Sequence, residues 1–303
     1  MFLTICLNPT IQKTLRFPSI TPNTVNRTAS HRLDASGKGI NVTRVLTQLG
    51  KKAVHLTQLG GEFRPLFLSL CEQDGLSVEW VESNSEIRFC YTVLTENDNK
   101  VTELVEESES VTPETEKRIL DKYNLLLSDL LCLSAPVRTS SVIMSGTKAA
   151  GYSDAVIPTM VRKAKEKGLR VILDIKGNDL IESLKYEPDV IKPNLDEFTA
   201  TFKTEPNKDM LIELAQKHKC RIILTNGSRK IFAVEKDNYY EIDVPVVKAN
   251  SALAVQNTTG CGDAFTAGFA SALDEGADFT AAINEGMRCG ALNAGLERPG
   301  AIR

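Results

Sequence analysis

The sequence predicts an α/β fold: a mostly parallel central sheet flanked by helices, with a small β-sheet lid. Three observations carry that expectation. Short, continuous apolar runs rich in β-branched residues, such as Arg170–Ile175 and Arg221–Thr225, read as strands covered on both faces. Helical stretches separate such runs from about residue 130 onward, and that alternation implies parallel βαβ units. Outside the alternation, Arg88–Thr95 and Val101–Glu106 flank the turn Glu96-Asn97-Asp98-Asn99-Lys100, a hairpin signal.

Taken in order, Met1–Leu7 is an apolar first strand that breaks at Asn8-Pro9, and without a charged leading region it does not read as a signal peptide. Thr10 to Ala35 is polar with scattered apolar positions, and Ile40–Leu49 reads as a helix. Ser141–Ser145 is a short strand, followed by a helical stretch from Tyr152 to Lys167. The strands Arg170–Ile175, Val190–Lys192 and Arg221–Thr225 come next, with helices over Asp196–Phe202 and Lys208–Lys217 between the last two. Lys230–Glu235 and Tyr239–Val244, joined across Lys236-Asp237-Asn238, form a second hairpin at the sheet edge. Ala264 to Gly276, with Phe265, Phe269, Ala272 and Leu273 on one face, is an amphipathic helix. No repeat and no low-complexity linker divides the chain, so residues 1–303 are expected to be one domain. Its lid would come from about 10–36 and 86–107.

Composition removes several classes of function. A formal net charge of −3 and the lack of basic clusters argue against nucleic acid as a partner. No apolar run approaches the roughly 18 residues of a membrane span. Seven scattered cysteines, odd in number and never in a C-x-x-C pair, indicate free thiols in a reducing compartment, hence a cytoplasmic protein. The three histidines are far apart in sequence and lack metal-ligand spacing. No G-x-S-x-G elbow and no H-E-x-x-H motif is present.

The run Asn257-Thr258-Thr259-Gly260-Cys261-Gly262-Asp263-Ala264-Phe265 is the most informative segment. A glycine turn opening a helix offers free backbone N–H groups at the positive end of the dipole, which is an anion site. Asp263 would repel a phosphate there, unless its carboxylate takes a proton from an alcohol while the N–H groups hold a transferred phosphoryl group. An acidic residue capping a helix is the plainer alternative. A second glycine turn, Ser36-Gly37-Lys38-Gly39, also enters a helix; it fails the Walker A spacing, and no G-x-G-x-x-G follows the first strand. Lys38 can point at a substrate phosphate, with Asn41 one turn on facing hydroxyls, or can be a solvated turn lysine. Arg27 and Arg88 fall in the two lid segments, where they would meet an anionic ligand if both cover it. After the strand at Val190, Asn194 reads as a helix cap and Glu197 as a carboxylate able to organise hydrated Mg²⁺. Thr225-Asn226-Gly227-Ser228 is a small-residue loop that would let a nucleotide approach, or else a turn into the edge hairpin.

Together these motifs resemble the phosphofructokinase-B (ribokinase-like) carbohydrate kinases, nearest the branch that holds 1-phosphofructokinase and tagatose-6-phosphate kinase. The likeness rests on Leu7-Asn8-Pro9, Val25-Asn26-Arg27, the run Ser36 to Leu46, Arg88, Val171-Ile172-Leu173-Asp174, the run Val190 to Phe198, and the Asp263 motif. They occur in family order over nearly the whole chain. The resemblance implies a ribokinase-like three-layer sandwich, a β lid over the sugar, and often a homodimer through that lid. By position it makes Asp263 the catalytic base and Gly260, Cys261 and Gly262 the anion hole. Gln12, Arg27, Gly37, Lys38, Asn41 and Arg88 fall at the sugar phosphate. Lys192, Asn194, Thr225, Asn226, Gly227 and Ser228 would meet ATP, with Glu197 on the Mg²⁺ network.

Three departures bear on the substrate. Gln12 stands where this branch usually carries an Asp that binds sugar hydroxyls, Gly146-Thr147-Lys148-Ala149 replaces a G-S-L-P turn, and Cys261 replaces Ala or Ser. The expected reaction is ATP-dependent phosphorylation of fructose 1-phosphate, fructose 6-phosphate or tagatose 6-phosphate to a bisphosphate. A free-sugar or nucleoside kinase of the same fold is the first competing reading, and leaves Lys38 unexplained. A weakly active sugar-phosphate sensor is the second, motivated by Gln12 and Lys148.

Overall fold

The chain begins with β1 (Phe2–Leu7), β2 (Thr10–Phe17), β3 (His31–Ser36), α1 (Lys38–Gln48), β4 (Ala53–Leu59), α2 (Arg64–Gln73) and β5 (Ser77–Glu82). It continues through β6 (Arg88–Thr95), β7 (Lys100–Val105), α3 (Pro113–Leu133), β8 (Ser141–Lys148), α4 (Val156–Glu166), β9 (Arg170–Asp174), α5 (Gly177–Leu184) and β10 (Val190–Ile191). The last third holds α6 (Leu195–Phe202), α7 (Lys208–His218), β11 (Arg221–Asn226), β12 (Lys230–Glu235), β13 (Asn238–Asp243), α8 (Cys261–Asp274) and α9 (Phe279–Ala294). This computed structural model describes residues 1–98, 100–133, 140–245 and 255–303; Asn99 of the first hairpin turn lies outside them.

Among the described residues, nine strands form the main sheet in the order β13-β12-β11-β10-β9-β8-β1-β4-β5. All pair in parallel except β12 and β13, which close one edge as an antiparallel hairpin. The strands read as continuous apolar runs because each face of the sheet is covered. Leu3, Ile5, Val142, Met144, Val171, Leu173, Ile222 and Leu224 pack on the side of α3 to α7. Their alternate neighbours Phe2, Ile143, Ile172 and Ile223 pack on the other side, with Val42, Val45, Phe265 and Phe269 of α1 and α8. Period-2 alternation therefore serves two cores, and the result is a three-layer sandwich.

Four strands form the second sheet, in the order β3-β2-β6-β7. β2 runs parallel to β6 and antiparallel to β3. Ile11 and Ala35 pack with Ile40, Leu59, Phe67 and Ile87, which joins this sheet to the main body. The polar stretch from Thr10 thus contains two strands whose apolar residues face a local core, although its composition did not resolve them.

Three helix starts differ by two or more residues from the sequence expectation. α1 begins at Lys38 and not Ile40, and α8 at Cys261 and not Ala264, because Gly37 (φ 105°) and Gly260 (φ 83°) turn the chain directly into the helix. α4 begins at Val156, four residues after Tyr152. Elements β4, β5, α2, α3, α5 and α9 had no assignment from the sequence; α9 nonetheless carries a clear start, since Asp278 accepts a hydrogen bond from the N–H of Ala281. No helix among the described residues is long and apolar enough to cross a membrane.

The sheet order turns back at β1, whose neighbours are β8 on one side and β4 on the other. A crevice opens at such a switch point, outside the carboxyl ends of the strands. The loops after β1, β8, β9, β10 and β11 all emerge at that end.

Candidate active site

The base of the crevice is the start of α8. A Cβ on Gly260 would lie 2.3 Å from the backbone N of Gly300, so this turn needs glycine both for its positive φ and for space. The N–H of Cys261 donates to the carbonyl of Thr258 at 3.3 Å, and that of Ala264 to the carbonyl of Gly260 at 2.9 Å. Gly262 and Asp263, between them, belong to the first turn, where a helix lacks internal acceptors for its N–H groups. No side chain caps this end. The expectation that Asp263 precedes the helix is corrected: it is the third helical residue.

Asp263 is only 5% exposed. Burial raises its pKa to about 7, against the opposing charge of Lys38; Asp174 adds to the rise, and the hydrogen bond from Asn41 and the charge of Lys192 reduce it. The side-chain amide of Asn41 donates to Asp263 Oδ2 at 2.8 Å. The carboxyl group is therefore poised to take up a proton near neutrality.

The second glycine turn sits beside it. Gly37 leads into α1, and a Cβ on Gly39 would lie 2.6 Å from His55 Cε1 and 2.7 Å from Cys6 Cβ, so the turn rests directly on β1 and β4. Lys38 projects its ammonium to 3.2 Å from Glu197 Oε1 and 3.5 Å from Asp174 Oδ1. Burial disfavours the charge on Lys38, but Asp174, Asp263 and Glu197 outweigh it and raise the pKa, so the side chain is a cation. The same Asp174 oxygen lies 3.3 Å from Lys192 Nζ, while Oδ2 accepts from Ser145 at 3.2 Å and Thr266 at 3.1 Å. Lys192 Nζ also lies 5.9 Å from the centroid of the Phe265 ring and 3.8 Å from where a Gly262 Cβ would stand. Two lysines thus reach the start of α8 from either side of one buried carboxylate.

Asn194 caps α6. Its Oδ1 accepts from the N–H of Glu197 at 2.8 Å, and Glu197 Oε2 accepts from the N–H of Asn194 at 3.0 Å, a reciprocal capping box. Asn194 also bridges to Thr225, which brings the loops after β10 and β11 side by side. Asn226 to Arg229 form the turn into the edge hairpin. The turn reading and the ligand-loop reading of this segment meet here, because Thr225, Asn226, Gly227 and Ser228 also line a cavity of about 790 Å³. Asn194, Thr258, Cys261, Gly262 and Phe265 lie on its wall as well.

The small sheet supplies the remaining positions. Gln12 is buried on β2 and donates to Thr92 Oγ1 at 2.7 Å. Arg88, at the start of β6, donates from Nη1 to the carbonyl of Glu106 at 2.9 Å and leaves its buried Nε without a partner. Arg27 lies exposed in the loop between β2 and β3, and is not drawn into the cleft. Lys148 is held by Asp179 of α5 and by Asp154 at 3.2 Å, so the extra charge of the altered turn is neutralised locally.

Residues after α9 complete the floor. Arg298 pairs with Asp34 of β3 at 2.9 Å and with Asp74 after α2. Gly300 packs on Asn41, and Arg44 donates to the carbonyl of Pro299 at 3.2 Å. Four participants escaped the sequence reading: Asp174, Arg44, Asp34 and Arg298. Asp174 had a visible signal, a charge at the end of an otherwise apolar buried strand, and such a charge needs a partner or a function.

The residues present fit a nucleotide with Mg²⁺. The cavity walls combine small backbone-exposing residues with the apolar Leu195, Ile231, Val244, Met287 and Ala291. No group of three or more potential metal ligands exists among the described residues. Mg²⁺ is, however, commonly held by one or two carboxylates together with substrate phosphates and water. Glu197 and Asp174 offer that set, with Asp174 Oδ1 ion-paired to Lys38 and Lys192 and Glu197 Oε1 to Lys38.

A family model described as pfkB family carbohydrate kinase matches residues 1–302. Among solved structures, phosphofructokinase-2 from Escherichia coli is 22% identical, covers 97% of this chain and 93% of its own, and superposes with a TM-score of 0.81. A possible 1-phosphofructokinase from Thermotoga maritima is 21% identical over 98% of this chain and 92% of its own, with a TM-score of 0.82. These likenesses carry the fold and leave the substrate to the site itself.

Proposed function

The chain belongs to the pfkB family of carbohydrate kinases, and from that premise we propose that it uses ATP to phosphorylate a ketohexose phosphate, giving a bisphosphate. The observation that supports the reading most is the meeting of a buried carboxyl group with a pKa near 7, two lysines and an uncapped helix start in one crevice. The Asp263 carboxylate takes the proton of the acceptor hydroxyl, whose oxygen bonds to the γ-phosphorus as the bond to the β-phosphate oxygen breaks. Charge that spreads over the moving phosphoryl group is met by the N–H groups of Gly260 and Gly262, with Lys38 and Lys192 alongside; the N–H of Cys261 joins them only on leaving the carbonyl of Thr258. Asn194 and the loop Thr225 to Ser228, which line the adjoining cavity, hold ATP, and Lys192 meets its phosphates from beside Gly262. Glu197 and Asp174 would hold Mg²⁺ brought with the nucleotide, and it would supply further charge neutralisation.

A substrate that already bears phosphate accounts for Arg88 and for the cation at Gly37-Lys38, and Arg27 would join them only if its loop moves inward. The small sheet then acts as a lid over the sugar, and pairing of two lids would make a homodimer. Free thiols at Cys6, Cys71, Cys90, Cys220, Cys261 and Cys289 suit a reducing cytoplasm. Fructose 1-phosphate, fructose 6-phosphate and tagatose 6-phosphate remain the candidate acceptors.

Coupled ADP release over a panel of free and phosphorylated sugars and nucleosides tests the proposal. Turnover confined to ketohexose phosphates supports it. Preference for free sugars or nucleosides overturns it, as does tight sugar-phosphate binding without turnover.

A further inference from the structure

Asn41 stands between the proposed base and a buried arginine. Its Nδ2 donates to Asp263 Oδ2 at 2.8 Å, and its Oδ1 accepts from Arg44 Nη1 at 3.0 Å and from Ser36 Oγ at 3.2 Å. Arg44 is 1% exposed, one turn further along α1. Its guanidinium is anchored on every side: Nε to Asp74 at 3.0 Å, Nη2 to the carbonyl of Ala35, and Nη1 to the carbonyl of Pro299 as well as to Asn41.

A guanidinium can only donate. With the Asn41 amide reversed, its NH₂ would meet the NH₂ of Arg44, and its oxygen would meet the carboxylate of Asp263. We infer that Arg44 is a positioning residue that locks the Asn41 amide so that a donor always faces the proposed catalytic base. This rests on Asp263 being the base of the proposed transfer.

The lock acts from the end remote from Asp263, so it holds in both protonation states of that carboxyl group. Asp263 therefore keeps a donor that favours its ionised, proton-accepting form and fixes which oxygen is left for the substrate hydroxyl. The charged groups that face the same carboxyl are Lys38 from α1, Asp174 from β9 and Lys192 beyond β10.

A double-mutant cycle with Asn41 tests the inference. Arg44→Met should lower kcat by about 10- to 100-fold, the range that misplacement of a reacting group can cost, with KM for ATP unchanged. It should also move the acid limb of the kcat profile to higher pH. Arg44→Lys, which restores a donor, should recover much of kcat. In an Asn41→Ala background, Arg44→Met should cost nothing further in kcat, although it lowers Tm there as in the native protein. Asp74→Asn removes an anchor of Arg44 but leaves the donor to Asn41, and should lower Tm with kcat kept. Equal kcat losses from Arg44→Met in both backgrounds, or a loss from Asp74→Asn matching that of Arg44→Met, would overturn the inference.

If Arg44→Met does not fold, Ser36→Ala removes only the second donor to Oδ1. It should give a smaller loss in kcat that vanishes in the Asn41→Ala background, and persistence there overturns the inference. Hydrogen exchange of the Asn41 side-chain amide, followed by NMR without substrate, gives a reading independent of the substrate assignment. Exchange should be slow in the native protein and fast in Arg44→Lys or Ser36→Ala only to the extent that each weakens the lock, so that Ser36→Ala with Arg44→Lys exchanges fastest. Equal exchange in all of them overturns the lock even if no sugar phosphate proves to be a substrate.

Discussion

Gln12 and Asp34 lie directly opposite each other on β2 and β3, both buried. The amide that replaces the usual acid on β2 therefore faces a carboxylate on the neighbouring strand, which Arg32 and Arg298 neutralise at 2.6 and 2.9 Å. Departure from the family pattern at position 12 is matched by a charge already present at position 34.

Restoring the acid should consequently be costly. In Gln12→Asp, two carboxylates face each other across a strand pair, and like charges so placed are destabilising. We expect a lower Tm, recovered in Gln12→Asp with Asp34→Asn, and a changed ranking of the three ketohexose phosphates with ATP use little altered. Thermal unfolding and a kcat/KM panel check this; an equal change for every sugar would place Gln12 outside the sugar pocket.

Asp263→Asn should keep fold and nucleotide binding but remove most turnover. An amide cannot accept the hydroxyl proton, and a positioned base contributes on the order of 10²–10⁴-fold. Near-native kcat in this variant would rule out the assigned base.

The raised pKa of Asp263 sets two pH dependences. As the base must be ionised, kcat/KM should fall as pH drops below about 7. For stability the sign is opposite. The folded pKa exceeds the unfolded one, so the contribution is fully present below about pH 4 and is lost as pH rises through about 7. Asp263→Asn should therefore gain Tm relative to the native protein at pH 8 and lose that advantage toward pH 5. A Tm difference independent of pH contradicts the shift.

Arg88→Ala should raise KM for the sugar phosphate and leave KM for ATP nearly unchanged. A charge-assisted bond to phosphate is worth roughly 1.5–3 kcal/mol, or about 10- to 100-fold in kcat/KM. Lys38→Ala should lower kcat as well, because its ammonium lies between Glu197 and Asp174 and acts on Asp263. Collapse of ATP affinity in Arg88→Ala would show that this arginine serves the other substrate.

The strands of the main sheet were legible because burial on both faces leaves an uninterrupted apolar run, as in RVILD and RIILT. β2 and β3 were not, since Thr10, Gln12, Thr14, Asp34 and Ser36 are polar yet buried; Thr10 and Gln12 bond to β6, Asp34 pairs with Arg298 and Ser36 bonds to Asn41, partners that no local pattern encodes. The site shows the same division. Asp263, Lys38 and Gly260 announce themselves through glycine turns at helix starts. Arg298 and Asp34 are 264 positions apart and meet only through the completed fold, so neither position marks the other in the sequence.

The segment Arg298 to Gly300 packs against the Gly260 turn and the start of α1, and its partners Asp34, Asn41 and Arg44 stand more than 250 positions earlier. The parallel sheet can close before this segment docks. Closure of so long a loop comes late and slowly relative to local pairing. In refolding, recovery of turnover should therefore lag behind recovery of the sheet.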